Sequence, residues 1–233
     1  MYIQQSTIHI VSPLLYVMFV ETIKLFEPCP NSNFMKLVRK MHNITLSVNS
    51  LILFLGITFG TYLDNKFTSL NNLICLSYDN NNFLVNKSVE LFLYSKYLEW
   101  FDTFYIHLSG KPITQLQYTH HMTTALVVYI NSMEYISPYM FVPMGLNCLV
   151  HIPMYWYFAF PKGVLNKYKR VITVSQIGQH IIVISGGIYI HLKDDCQQNK
   201  YGNNIGLLIY FMYLFYFTIF YINSYMNKMI KKK

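Results

Sequence analysis

Residues 88–108 read S-V-E-L-F-L-Y-S-K-Y-L-E-W-F-D-T-F-Y-I-H-L. As a helix this stretch is long enough to cross the roughly 30 Å hydrocarbon core of a bilayer, yet it carries Lys96, Glu99 and Asp102. Steps of three and four place these residues, with Thr103, along one helical face. A charged side chain at the centre of a span costs about 2.5–3.5 kcal/mol on insertion scales. A face bearing several must therefore turn inward and pair inside a bundle. For Lys96 and Glu99 taken alone, the alternative is a polar seam that neutralises itself and holds helices together.

The rest of the chain fits that unit. Of 233 residues 53% are hydrophobic and 12% charged, half the charge density of an ordinary soluble domain; mean hydropathy is +0.28. This excludes a disordered chain, a disulfide scaffold and most soluble enzymes. The net charge of +8 forms no basic face, so nucleic acid is not an expected partner. Seven windows are long and apolar enough to span: 7–26, 44–63, 88–108, 117–136, 139–160, 171–192 and 205–225. The expectation is one all-α integral-membrane domain over 1–233, a bundle of seven transmembrane helices with its N-terminus lumenal and C-terminus cytosolic. That orientation puts Lys36, Arg39, Lys40, Lys111, Lys162, Lys167, Lys169, Arg170, Lys228, Lys231, Lys232 and Lys233 inside, and only Lys66, Lys87, Lys193 and Lys200 outside, as the positive-inside rule requires. Cys75 and Cys196 fall on the same, oxidising side, which makes a disulfide between them the expectation; two free thiols are the alternative.

Ionisable and amide groups gather in spans three to six. Span four opens with Gln117, His120 and His121. Two adjacent imidazoles on a helix cannot face one way, so one enters a cavity and the other a neighbouring helix. In span five Asn147, His151 and Tyr155 share a face at i, i+4 and i+8, and Pro143 and Pro153 can kink the helix that carries them. In span six Thr173, Gln176 and Gln179 step by three; such amides also glue membrane helices. Most of these groups lie in the cytosolic half of their spans. The expected cavity opens toward the cytosol, with an apolar tunnel below it, the shape suited to an activated acyl chain.

These four stretches resemble the ELO family of very-long-chain fatty acid elongases, the membrane 3-ketoacyl-CoA synthases. The family box K-x-x-E-x-x-D-T corresponds to Lys96, Glu99, Asp102 and Thr103, and N-x-x-x-H-x-x-M-Y to Asn147, His151, Met154 and Tyr155. The box T-x-x-Q-x-x-Q corresponds to Thr173, Gln176 and Gln179, and H-x-x-H-H to His120 and His121, with Gln117 in place of the first histidine. Glutamine hydrogen-bonds but does not exchange a proton near pH 7.

The resemblance implies condensation of an acyl-CoA with malonyl-CoA to give a 3-ketoacyl-CoA, CO2 and CoA, with no bound cofactor and no metal. His120 is the expected nucleophile through an acyl-imidazole, His151 its proton-handling partner, and His121 the orienter. Lys96, Glu99, Asp102, Thr103, Gln117, Asn147, Tyr155, Thr173, Gln176 and Gln179 are the expected substrate-binding residues. Cys148, three residues before His151, offers a Cys–His alternative. Residence in the endoplasmic reticulum follows from the family, as do partners for the later steps: a 3-ketoacyl-CoA reductase, a dehydratase and an enoyl-CoA reductase. The rival readings are an elongase-like subunit impaired by Gln117, a seven-span receptor or transporter, and a di-iron lipid-modifying enzyme.

Overall fold

The computed structural model describes residues 7–79, 81–133 and 136–227. Ten α-helices make up the described chain, with no strand among the described residues. Their starts follow side-chain capping. Ser32 accepts from the Met35 amide at 3.2 Å to open α3 (Asn33–Leu63). Asn82, Thr114 and Asn199 do the same for α5 (Phe83–Leu98), α7 (Gln115–Ile130) and α10 (Lys200–Tyr221). A short α1 (Thr7–Ile10) precedes α2 (Ser12–Ile23), and α4 (Leu70–Cys75) lies in the connection after α3. The remaining helices are α6 (Trp100–Leu108), α8 (Phe141–Ala159) and α9 (Lys169–His191).

Each of the seven apolar windows holds a helix or a pair of helices. Three helical stretches, Asn33–Leu63, Val164–His191 and Lys200–Met226, are long and apolar enough by themselves to cross a membrane. One expectation is corrected. The third window is not one helix: Glu99 sits between α5 and α6, where the Asp102 amide bonds back three residues to the Glu99 carbonyl at 3.0 Å. The tighter turn shifts the face that α6 presents. The second window, 44–63, lies within α3, whose first turns from Asn33 are too polar to enter a hydropathy window. Lys228 and Lys231 to Lys233 lie outside the described residues.

Helix contacts run in a closed circuit, α3–α5–α7–α10–α9–α8 and back to α3, with α2 packed outside on α7. The α3–α8 pair is the most extensive, and Ser47 of α3 donates to the Ile152 carbonyl of α8 at 2.9 Å. The α3–α5 approach needs Gly60, where a Cβ would stand 3.0 Å from the Val85 backbone nitrogen. The outer face of the circuit is apolar, and charged and polar side chains are sequestered among apolar ones inside. Leu208, Phe211 and Phe215 stand exposed on α10, while Lys96, Glu99, His121, His151 and His180 are buried. That inversion suits a hydrocarbon solvent.

At one end of the ring Cys75 and Cys196 are disulfide-bonded, their Cα atoms 4.4 Å apart. Ile74, Tyr139, Val183 and Ile190 pack around the bond. The Gln197 amide donates to the Cys75 carbonyl at 3.1 Å, and the Ser77 amide to Gln197 Oε1 at 2.9 Å.

Candidate active site

Two polar clusters grow from the α5–α6 junction. In the first, Lys96 Nζ donates to Glu99 Oε1 at 2.7 Å and to Asn147 Oδ1 at 2.9 Å. An ammonium only donates, so the oxygen of the Asn147 amide must face it. The Asn147 Nδ2 then donates to His151 Nε2 at 3.0 Å. His151 Nε2 is therefore the acceptor, and its proton sits on Nδ1, which faces Glu99 Oε1 at 3.6 Å. A chain of forced donors thus fixes the tautomer of His151 and engages its Nε2 lone pair.

The second cluster centres on Asp102. Its Oδ1 accepts from His42 Nε2 at 2.9 Å and its Oδ2 from the Tyr155 hydroxyl at 2.8 Å. His121 Nε2 stands 4.0 Å from Oδ2, beyond hydrogen-bond reach. The neutralising pair of Lys96 and Glu99 is thus present, and Asp102 stands outside it. Lys96 and Glu99 pair with each other, whereas Asp102, moved by the break at Glu99, is served by α3 and α8. Thr103 shares a hydrogen bond with Tyr16 of α2 at 2.8 Å and accepts from Gln117 Nε2 at 3.4 Å.

The adjacent imidazoles diverge. His121 lies by Tyr16, and Trp100 Nε1 donates to its backbone carbonyl at 3.1 Å. His120 points the other way, its ring centroid 4.9 Å from Tyr213 and 6.4 Å from Phe217 of α10. Lys96, His120, Asn147, Gln179 and His180 line a cavity of about 30 Å³ inside the ring, room for roughly two waters at ~10–15 Å³ each. Through shared walls at Phe92, Val128, Pro143 and Tyr210 it abuts a second cavity of about 50 Å³. The lining of that second cavity is mostly apolar and runs toward Tyr139 and Met140, at the disulfide end. A polar chamber and an apolar one thus share a wall.

Several chamber groups lack a protein partner. Gln179 Oε1, Thr124 Oγ1 and both nitrogens of His180 are buried without a hydrogen bond. Each such atom costs about 1–3 kcal/mol unless a ligand or water completes it. The ring of His120 makes no hydrogen bond to any described residue.

Not every candidate enters the chamber. Gln117 stays on the Thr103 side, on the face of α7 that also carries His121. Gln176 Nε2 reaches the Met154 sulfur at 3.1 Å, and Thr173 bonds the Lys169 carbonyl and the Tyr225 hydroxyl. Cys148 packs in the apolar core with Leu93 and Met144 and does not line the chamber. Among the described residues no three His, Cys, Asp or Glu side chains converge as metal ligands. Motif spacing does not single out His42 or His180, although His180 belongs with the polar groups in the cytosolic half of the spans. His42 lies sixty residues from Asp102 in sequence, and His180 belongs to no box.

The sequence profile of the ELO: GNS1/SUR4 family matches residues 1–233. The chain is 31% identical over 204 residues to "Fatty acid elongase A" of Dictyostelium discoideum, covering 82% of this chain and 73% of that protein. It is 32% identical over 152 residues to "Fatty acid elongase 2" of Trypanosoma brucei brucei, covering 60% and 56%. "Very long chain fatty acid elongase 4" of Trypanosoma cruzi is 27% identical over 154 residues, covering 60% and 52%. The chain thus spans between about half and three quarters of these relatives' own lengths.

Proposed function

The chain belongs to the ELO (GNS1/SUR4) family of fatty acid elongases, and from that premise we propose that it is a 3-ketoacyl-CoA synthase condensing a long-chain acyl-CoA with malonyl-CoA. The observation that carries the reading is His120, an imidazole with no hydrogen bond of its own. It faces a chamber lined by Lys96 and adjoining an apolar cavity across a shared wall.

In this reading a His120 ring nitrogen attacks the acyl thioester carbon. The C–S bond breaks, the CoA thiolate leaves and takes up a proton, and a neutral acyl-imidazole remains. The acyl tail occupies the apolar cavity. Malonyl-CoA follows, its carboxylate toward Lys96, which keeps one N–H after serving Glu99 and Asn147. Loss of CO2 sends the electron pair of the breaking C–C bond onto the thioester oxygen. The enolate carbon then bonds the acyl carbon, the N–acyl bond breaks, and His120 recovers its proton. One proton is consumed overall, balancing the lost carboxylate charge. His151 has its Nε2 lone pair engaged by Asn147, so it serves as an Nδ1–H donor beside Glu99 and not as the nucleophile. Asp102, held by His42 and Tyr155, fixes the α6 end of the site near His121.

The reading includes seven spans in an endoplasmic reticulum membrane, N-terminus lumenal, so that CoA thioesters arrive from the cytosol. It is supported by a cationic cavity of about 190 Å³ between Lys36, Arg39 and Lys111, away from the disulfide end. Three cations there suit the phosphates of CoA. The 3-keto product calls for a reductase, a dehydratase and an enoyl reductase as functional partners. The test is condensation by membranes carrying the protein, with radiolabelled malonyl-CoA and a panel of acyl-CoAs. Labelled 3-ketoacyl product that disappears in His120→Ala is expected. No product from any acyl-CoA, with folded protein, overturns the reading.

A further inference from the structure

His180 has no part in the scheme above. It is 2% exposed, and neither ring nitrogen has a partner. Its centroid lies 5.6 Å from Tyr210, 5.7 Å from Tyr213 and 5.0 Å from Phe217. Tyr213 and Phe217 also carry the ring of His120. Two rings of α10 therefore seat two imidazoles, one from α7 and one from α9, on the wall of one cavity that also takes in Lys96.

A neutral imidazole always has one N–H donor and one lone pair. In a nest of three aromatic rings a phenylalanine would fill the same space and leave nothing unpaired. A histidine there with both nitrogens idle is a group without a ligand, because buried polar atoms are nearly always satisfied. Gln179 Oε1, one residue away, is unpaired on the same wall.

The geometry points to His180 as a further catalytic residue, one whose ring N–H donates to the thioester carbonyl oxygen of the malonyl unit. This rests on the condensation reading. When CO2 leaves, that oxygen receives the electron pair and becomes the enolate oxygen. It gives the pair back as the new C–C bond forms and the N–acyl bond to His120 breaks. His180 keeps its own proton throughout and acts as a preorganised donor where charge develops. Lys96 takes the carboxylate and His180 the carbonyl, so the two ends of the malonyl group are read by different helices.

The test compares His180→Phe and His180→Gln in the full-length membrane protein. Folding is read from closure of the Cys75–Cys196 bond on non-reducing gels and from thermal melts. Two half-reactions are separated: acyl transfer to the protein without malonyl-CoA, followed by intact mass, and full condensation with labelled malonyl-CoA. His180→Phe removes two unpaired nitrogens, so it is expected to fold at least as well as wild type and to keep acyl transfer. Its condensation rate is expected to fall about 100-fold, the loss typical of one oxyanion donor. His180→Gln, which retains an N–H, is expected to recover part of that loss. Condensation by His180→Phe within about three-fold of wild type overturns the assignment. So does a parallel fall of both half-reactions, or failure of both variants to fold, since either makes His180 a structural residue. Wild-type protein giving neither acyl-enzyme nor product overturns the condensation reading itself, an outcome distinct from failure of His180 in an active enzyme.

Discussion

Lys96 and Glu99 form an ion pair 2.7 Å long within one turn of the chain, both side chains at most 3% exposed, where α5 gives way to α6. Removing one member of a buried pair is expected to be worse than removing both, because the survivor keeps its desolvation penalty. Lys96→Met should cost about 3–5 kcal/mol, and the double variant Lys96→Met with Glu99→Gln markedly less. Thermal melts of the two in the same detergent decide this; equal losses would contradict it.

Gln117 donates to Thr103 at 3.4 Å and does not line the chamber of His120. Gln117→His is therefore expected to change kcat by less than about ten-fold, under ~1.4 kcal/mol of barrier. A gain of two orders of magnitude on restoring the histidine would mean that this position carries a proton, and that the natural chain is an impaired enzyme.

The Cys75–Cys196 bond closes a loop with a sequence separation of 121. Loss of a bond over so long a loop is expected to lower stability by about 2–5 kcal/mol. Cys75→Ser, Cys196→Ser and the double variant should all melt at the same lower temperature. A double variant less stable than either single would show that the cysteines contribute through packing as well.

Lys66, in the connection after α3, has no exposed surface; its ammonium lies 4.3 Å from the Tyr78 ring centroid and donates to the Asn72 carbonyl at 3.3 Å. Burial lowers its pKa to about 8, partly opposed by Asp64. Between that value and the ordinary lysine value of about 10.5 the unfolded chain binds the proton more tightly than the folded one. Stability attributable to this group therefore rises with pH across that window. Lys66→Met should be more stable than wild type at pH 7, and the gap should narrow as pH climbs from about 8 toward about 10.5. A gap constant with pH would assign the effect to packing.

Hydropathy was enough to locate a helix at each apolar window, because the outer face of the ring is what such a window averages. It missed what lies across the ring. The break at Glu99 comes from backbone pairing that no periodicity reports. The first turns of α3 carry Lys36, Arg39, Lys40 and His42, so an apolar average starts too late and excludes His42, the residue that holds Asp102. Motif spacing singled out Gln176 and Thr173 equally with Gln179, yet only Gln179 faces the chamber, since steps of three drift around a 3.6-residue helix. His180 falls outside every box, and its meaning appears only when its two nitrogens are found without partners.

The bond between Cys75 and Cys196 also imposes a parity. Where the chain crosses a bilayer, the two halves of this bond meet on one side of it, so the traverses between them are even in number. Of the three helices that length and hydropathy alone qualify, one, Val164–His191, lies in that interval. One traverse is odd and would strand the two sulfurs on opposite sides. On the seven-span reading α5–α6, α7 and α8 add three traverses to that of Val164–His191, an even total that leaves both sulfurs on one side. The polar residues that lower the mean hydropathy of those helices, Lys96, His120 and Asn147 among them, are the ones that build the chamber.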